Sequence, residues 1–402
     1  MVSISNIPLY VAPPAPAEIG SAYLRLALGV SQQTPGLLNI YLGPPEWLEV
    51  VQADPPSWEM LRQHAIAVAT AAQKSDLPRH RRERILRNVR ALLWLIRAKE
   101  GEKIMFSEQV RLLLDLQPES ATEEVFQAAH ETLATLLPGS DSLAERWARW
   151  QAKYAIPARA GLPLLAAALN TLRERLGHIT ALIGDTIQLI ETGGTGSLAY
   201  QRGQLQIPQG ATFRVDRLYH GAARWGYGGL HTIHSAMIRR YAAGQGEVEG
   251  AVLLNLGPDQ VIVQGLPLAL LPELELYSDA IPALLATVDL PAIDPASLQA
   301  IHLAEDALQW TLANAALLLH GEGLRPRVIR RYLMANGLFS PETADKLLTE
   351  LISPGYAAHV FAPLIGGPLL KAWLAQENHS VSDLLLDPPA PSTMAFEVRF
   401  AD

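Results

Sequence analysis

Three imidazoles fall within fifteen positions of the stretch RLYHGAARWGYGGLHTIHSAM (residues 217–237): His220, His231 and His234. Imidazole nitrogen is a common zinc donor, and a hydrolytic zinc needs about three protein donors, a bound water and a general base close by. A helical HExxH supplies this arrangement, because residues four apart share a face and the intervening glutamate polarises the water. No HExxH occurs in the chain, and no carboxylate lies between Asp216 and Glu247. His231 and His234, three apart, can share a helix face. His220 joins them only if Gly226, Gly228 and Gly229 let the chain bend back. The residues alone leave three readings open: a bound transition metal, ordinary packed or solvated histidines, and a polar pocket of some other use.

Other candidates for chemistry are weaker. His302 with Glu305 and His320 with Glu322 could each make a carboxylate-paired base, but both pairs sit on helices that read as scaffold. His359 precedes the Pro- and Gly-rich apolar run FAPLIGGPLLKAWL, which reads as close helix packing. There is no GxSxG elbow to expose a serine, and GGTGSL (193–198) fits neither phosphate-loop pattern. The absence of cysteine excludes disulfides, thiol catalysis and cysteine-bound zinc or iron–sulfur centres. The net charge of −8 repels a nucleic-acid backbone unless a local patch overrides it. The one basic stretch, RHRRERILRNVR (79–90), reads as an amphipathic helix with a solvated face, because Ile85, Leu86 and Val89 keep helical spacing. An anion or nucleic-acid surface built from Arg79, Arg81, Arg82, Arg84, Arg87 and Arg90 is the minor alternative.

The elements that would position these residues are mostly helical. With 49 % hydrophobic and 18 % charged residues, the 402-residue chain is fit to bury one large core or two ordinary ones. Periodicity predicts helices over 18–30, 57–75, 81–98, 105–115, 141–154, 160–178, 214–243, 297–320, 325–336, 341–352 and 360–376. Another follows PESATEEV, with Ser120 as N-cap three residues before Glu123. Pro44–Pro45 reads as a turn. Between 187 and 210, β-formers alternate with Gly-rich turns and predict a small β insert of two or three strands. A soft boundary near residue 185 separates regions 1–185 and 186–402, which can equally form one continuous domain. The N-terminus has no basic start before an apolar core, and no run of eighteen apolar residues was found, so a cytoplasmic protein without a membrane partner is expected.

Several stretches in order along the chain resemble an uncharacterised bacterial family, DUF885-like proteins, distantly related to helical zinc metallopeptidases. They are YLGPPEWLEVV (41–51), LLPGSDSLAERWARWQAKYAIP (136–157) and GYAAHVFAPLIGGPLL (355–370). The resemblance implies a mainly α, zincin-like helical scaffold whose site stretch reads approximately HEAYPGHHTEH. Laid on that pattern, Tyr227, Gly229, His231, Thr232 and His234 agree. Arg224 stands for the first histidine, Trp225 for the glutamate, Gly228 for the proline, Leu230 for the first tandem histidine and Ile233 for the later glutamate. An ISEGLA-like element appears as VIVQGLPL, with Gln264 at its acidic position, and Pro363 replaces a tyrosine of the closing helix.

Those departures have chemical consequences. Arginine stays protonated and offers no lone pair, indole accepts no proton from water, and an amide oxygen adds no compensating charge. The resemblance therefore implies a pseudoenzyme without catalytic residues and without a resident cofactor. Its vestigial cleft would be lined by Arg224, Trp225, Tyr227, His231, His234 and Gln264. Such a cleft could take a peptide, a small carboxylate ligand or a partner protein, or serve structure alone. The competing expectation is a metal-dependent hydrolase that rebuilt a zinc site from His220, His231 and His234.

Overall fold

The computed structural model describes residues 14–400 except 183, 195–197, 243–246, 289 and 291–292, so Thr195–Ser197 of GGTGSL lie outside the described residues. Helices dominate, with small sheets between them. They form where apolar residues recur on one face, and in several a polar side chain satisfies the first turn. Trp58–Lys74 starts at Ser57, whose hydroxyl accepts from the Met60 N–H at 3.3 Å. Leu143–Lys153 starts with a reciprocal capping box between Ser142 and Glu145. Arg79–Lys99 buries Ile85, Val89, Ala91, Leu92, Trp94 and Leu95, so apolar residues cover more than one side, as its sequence implies.

Departures from the periodicity have local causes. Glu123–Leu136 begins after Thr122, and Ser120 does not cap it. The amide of Asn314 explains this, because it takes both the N–H and the C=O of Ala121, at 3.0 and 2.8 Å, away from a helical turn. Residues 214–243 hold two helices, Leu218–Trp225 and Leu230–Ala242; the chain turns between them through Gly228, at φ +93°. The 297–320 region divides into Pro295–Leu308, Trp310–Ala316 and a π turn at Leu317–Gly321. Pro45 opens the helix Pro45–Ala53 and does not mark a turn, since proline at the first position forfeits no helical hydrogen bond.

The strands are short. Gln188–Thr192, Ala199–Gln201 and Gln204–Pro208 (here β3, β4 and β5) make a three-stranded sheet in the predicted insert, β3 parallel and β4 antiparallel to β5. Two further pairs join distant parts of the chain. β1 (Leu38–Tyr41) lies antiparallel to β7 (Val252–Leu254), and β2 (Ala155–Pro157) antiparallel to β6 (Thr212–Arg214). One contiguous apolar core runs from Ile19 to Met394 and draws on both sides of residue 185.

At its centre, Asp259–Leu270 crosses Phe361–Leu374 at the glycines. A Cβ on Gly265 would stand 2.5 Å from the Gly366 carbonyl carbon, and one on Gly366 2.5 Å from the Val261 oxygen. The helical run Pro354–Leu374 is long and apolar enough, by length and composition, to cross a membrane, and 56 % of its most apolar 18-residue stretch is buried within the fold.

Candidate functional site

Leu230–Ala242 carries His231 and His234 toward the small sheet, where one hydroxyl meets both. Tyr200 Oη lies 2.8 Å from His231 Nδ1 and 2.7 Å from His234 Nδ1, and it accepts from the Gly203 N–H at 3.1 Å. All three side chains are buried. His231 Nε2 is 2.8 Å from the Asp185 carbonyl oxygen, which can only accept, so this nitrogen carries a proton. Burial holds both imidazoles below their ordinary pKa, His234 at about 4, and they are neutral near pH 7.

The proton positions then follow. His231 Nδ1 accepts from the Tyr200 hydroxyl, and His234 Nδ1–H donates to the same oxygen. His234 Nε2 keeps a buried lone pair, with no partner among the described residues. Tyr227 completes the surroundings by donating to the Asp185 carbonyl at 3.0 Å and accepting from the Ile187 N–H at 3.2 Å. The chain can pass this closely over the helix because residue 184 is glycine. Its φ is +93°, and a Cβ there would stand 2.1 Å from Ser235 Oγ and 3.2 Å from His231 Nε2.

The remaining residues named from sequence enter other contacts. The exposed Arg224 lies over the Trp225 ring at 5.6 Å, and its charge reinforces the burial that lowers His359 to about 4. Gln264 donates to Gln260 in its own helix at 3.3 Å, while Gln260 donates to the Leu254 carbonyl at 2.7 Å. His220 Nε2 accepts from Arg217 at 2.8 Å, and its ring meets His302 edge-on at 5.6 Å. The structure thus brings Tyr227, His231 and His234 together and gives Arg224, Gln264 and His220 different neighbours. No group of three or more His, Asp or Glu that could hold a metal occurs among the described residues.

A second polar cluster escaped the sequence reading. Asp216, fully buried, accepts from Arg214 and lies 3.3 Å from His302 Nε2, while Tyr277 Oη donates to His302 Nδ1 at 2.7 Å. Burial alone would raise the Asp216 pKa, but His302 and Arg214 outweigh it and hold the carboxyl at about 2. Glu305 bridges Arg214 and Arg217, and Arg217 also pairs with Asp306. Glu305 therefore serves the arginines, whereas His302 takes Asp216 as its carboxylate. The spacing Arg214–Asp216–Arg217–His220 was the available signal.

The basic helix also departs from its expected solvated face. Arg84 and Arg87 are only 5 % and 4 % exposed, and Arg81 pairs in two places with the buried Glu249, at 2.6 and 3.0 Å. Arg79, His80, Ala98 and Lys99 at the two ends stay exposed, while Arg81, Arg84 and Arg87 turn inward toward Glu249, Glu247 and Asp259.

No family model and no curated protein matches this sequence. Among solved structures the chain is similar to a "putative lipoprotein" from Colwellia psychrerythraea. The identity is 12 % and the TM-score 0.48, over 88 % of this chain and 68 % of that one, a likeness too distant to assign a function.

Proposed function

We propose that the chain is a cytoplasmic, non-catalytic homologue of helical zinc metallopeptidases, of DUF885-like descent, in which the old site helix has become a structural and ligand-presenting element. The observation that carries this reading is the single Tyr200 hydroxyl bonded to both imidazoles. With His231 Nε2 on Asp185, three of the four ring nitrogens are engaged within the protein. Arg224 in place of a donor, Trp225 in place of a base and Gln264 in place of an acid support it from the sequence. The Arg224 guanidinium over Trp225 suits a peptide or partner carboxylate, by ion pairing and stacking.

The rebuilt zinc hydrolase is the second reading, favoured by His234 Nε2, which has no partner among the described residues. Elemental analysis of protein purified without added metal, combined with a peptide-cleavage assay, separates them. The proposal expects sub-stoichiometric zinc and no cleavage. Stoichiometric zinc held by imidazole nitrogens at about 2.1 Å, with metal-dependent cleavage, would establish the hydrolase instead.

A further inference from the structure

The face of Leu230–Ala242 opposite the histidines closes a different space. Ile233, Met237 and Arg240, with Arg84 and the leucines Leu384 and Leu385, line a cavity of ≈ 40 Å³. A single water needs roughly 10–15 Å³ on this measure, so the space holds about three waters or a small carboxylate. Both terminal nitrogens of the buried Arg84, and Nε of Arg240, have no hydrogen-bond partner among the described residues. Guanidinium nitrogens withdrawn from water without acceptors are costly, and a bound anion would supply the acceptors.

The charges around the cavity restrict that anion. Two carboxylates also line it, but each is compensated: Glu249 by Arg81, and Asp259 by Arg87 at 3.3 Å. Glu247 lies 3.7 Å from Arg84 Nη1, and Glu247 and Asp387 both act electrostatically on Arg240. With these carboxylates already present, a monoanion adds the least negative charge and a dianionic phosphate adds more. Met237, Leu384 and Leu385 add an apolar wall.

We infer that this cavity binds a small monoanionic carboxylate, its oxygens on Arg84 and Arg240 and its short aliphatic tail against Met237, Leu384 and Leu385. Burial and the neighbouring Arg84 hold the Arg240 pKa down at about 10 against the opposing pull of Asp259, Glu247 and Asp387. The inference does not rest on the proposed metallopeptidase ancestry, because the cavity and the Tyr200 bridge lie on opposite faces of the helix.

Calorimetric titration of the full chain with propionate, propionamide and inorganic phosphate tests it. Saturable propionate binding is expected, with no binding of propionamide and weaker binding of phosphate. The variant Arg240→Met should weaken propionate about ten- to a hundredfold, the range expected for losing a hydrogen bond to a charged group. Arg240 is chosen because it is only partly buried, and circular dichroism reports whether the variant keeps its helices. Tyr200→Phe should bind propionate normally, which separates this site from the histidine site. Absence of saturable propionate binding, tighter binding of phosphate, or unchanged affinity in a folded Arg240→Met protein would overturn the inference.

Discussion

Tyr200 satisfies two buried imidazoles and a backbone amide with one oxygen, so its loss should cost more than one hydrogen bond. Tyr200→Phe leaves His231 Nδ1 and His234 Nδ1 buried without that partner. Urea denaturation should show a loss of about 2–6 kcal/mol, from roughly 1–3 kcal/mol for each of the two stranded groups. A loss within error of zero would mean that water replaces the hydroxyl. The same pair predicts a pH dependence. Unfolded histidine titrates near 6.5, whereas burial holds His234 at about 4 and lowers His231, so between these values the unfolded chain binds protons that the folded chain does not. Stability should therefore fall as pH drops from about 6.5 to 4, with about 3 kcal/mol coming from His234 alone. His64, His220 and His359 are shifted the same way and share the slope, and Asp216 loses its ionic contribution only below the ordinary aspartate range. Thermal unfolding across that window should show a shallower slope in His234→Asn, and an unchanged slope would remove His234 from the account.

At the scale of elements, the helix crossing through Gly265 and Gly366 leaves no room for a methyl group. Gly366→Ala should destabilise by roughly 1–3 kcal/mol or more, since the obstruction is backbone and cannot swing away. A melting temperature equal to that of the parent would mean that the two helices can separate at little cost. Most helices were legible because apolar residues at three- and four-residue spacing mark a buried face whatever lies opposite. Their limits were less so. Ser120 has the chemistry of a cap, but the side chain of Asn314, 193 residues beyond Ala121, decides where that helix starts. The pairs β1–β7 and β2–β6 were invisible for a similar reason, since strands of three or four residues have little periodicity and owe their existence to distant partners. The β insert at 187–210 showed because its strands are close in sequence and separated by turn residues.

For the molecule as a whole, buried charge is concentrated in two places that the sequence reading did not foresee: the Arg214–Asp216–His302–Glu305 cluster and the inner side of Arg79–Lys99. Asp216→Asn would leave Arg214 and His302 without their buried anion, and a loss of about 3–5 kcal/mol in denaturant unfolding is expected. A change below 1 kcal/mol would show that Glu305 can take over. The histidine pair itself was legible from its three-residue spacing, but Tyr200 was not, because nothing in a sequence announces a hydroxyl arriving from a strand 31 residues upstream. Arg84 and Arg87 were misplaced because a run of arginines looks solvated until the opposing carboxylates are known. The central claim is that the two imidazoles are committed to Tyr200 and Asp185. Long-range ¹⁵N NMR of the imidazole rings, on the full chain at neutral pH before and after one equivalent of zinc, tests it most directly. The account predicts a proton on Nε2 of His231 and on Nδ1 of His234, both unmoved by zinc; loss of those protons with metal-shifted ring nitrogens would contradict it.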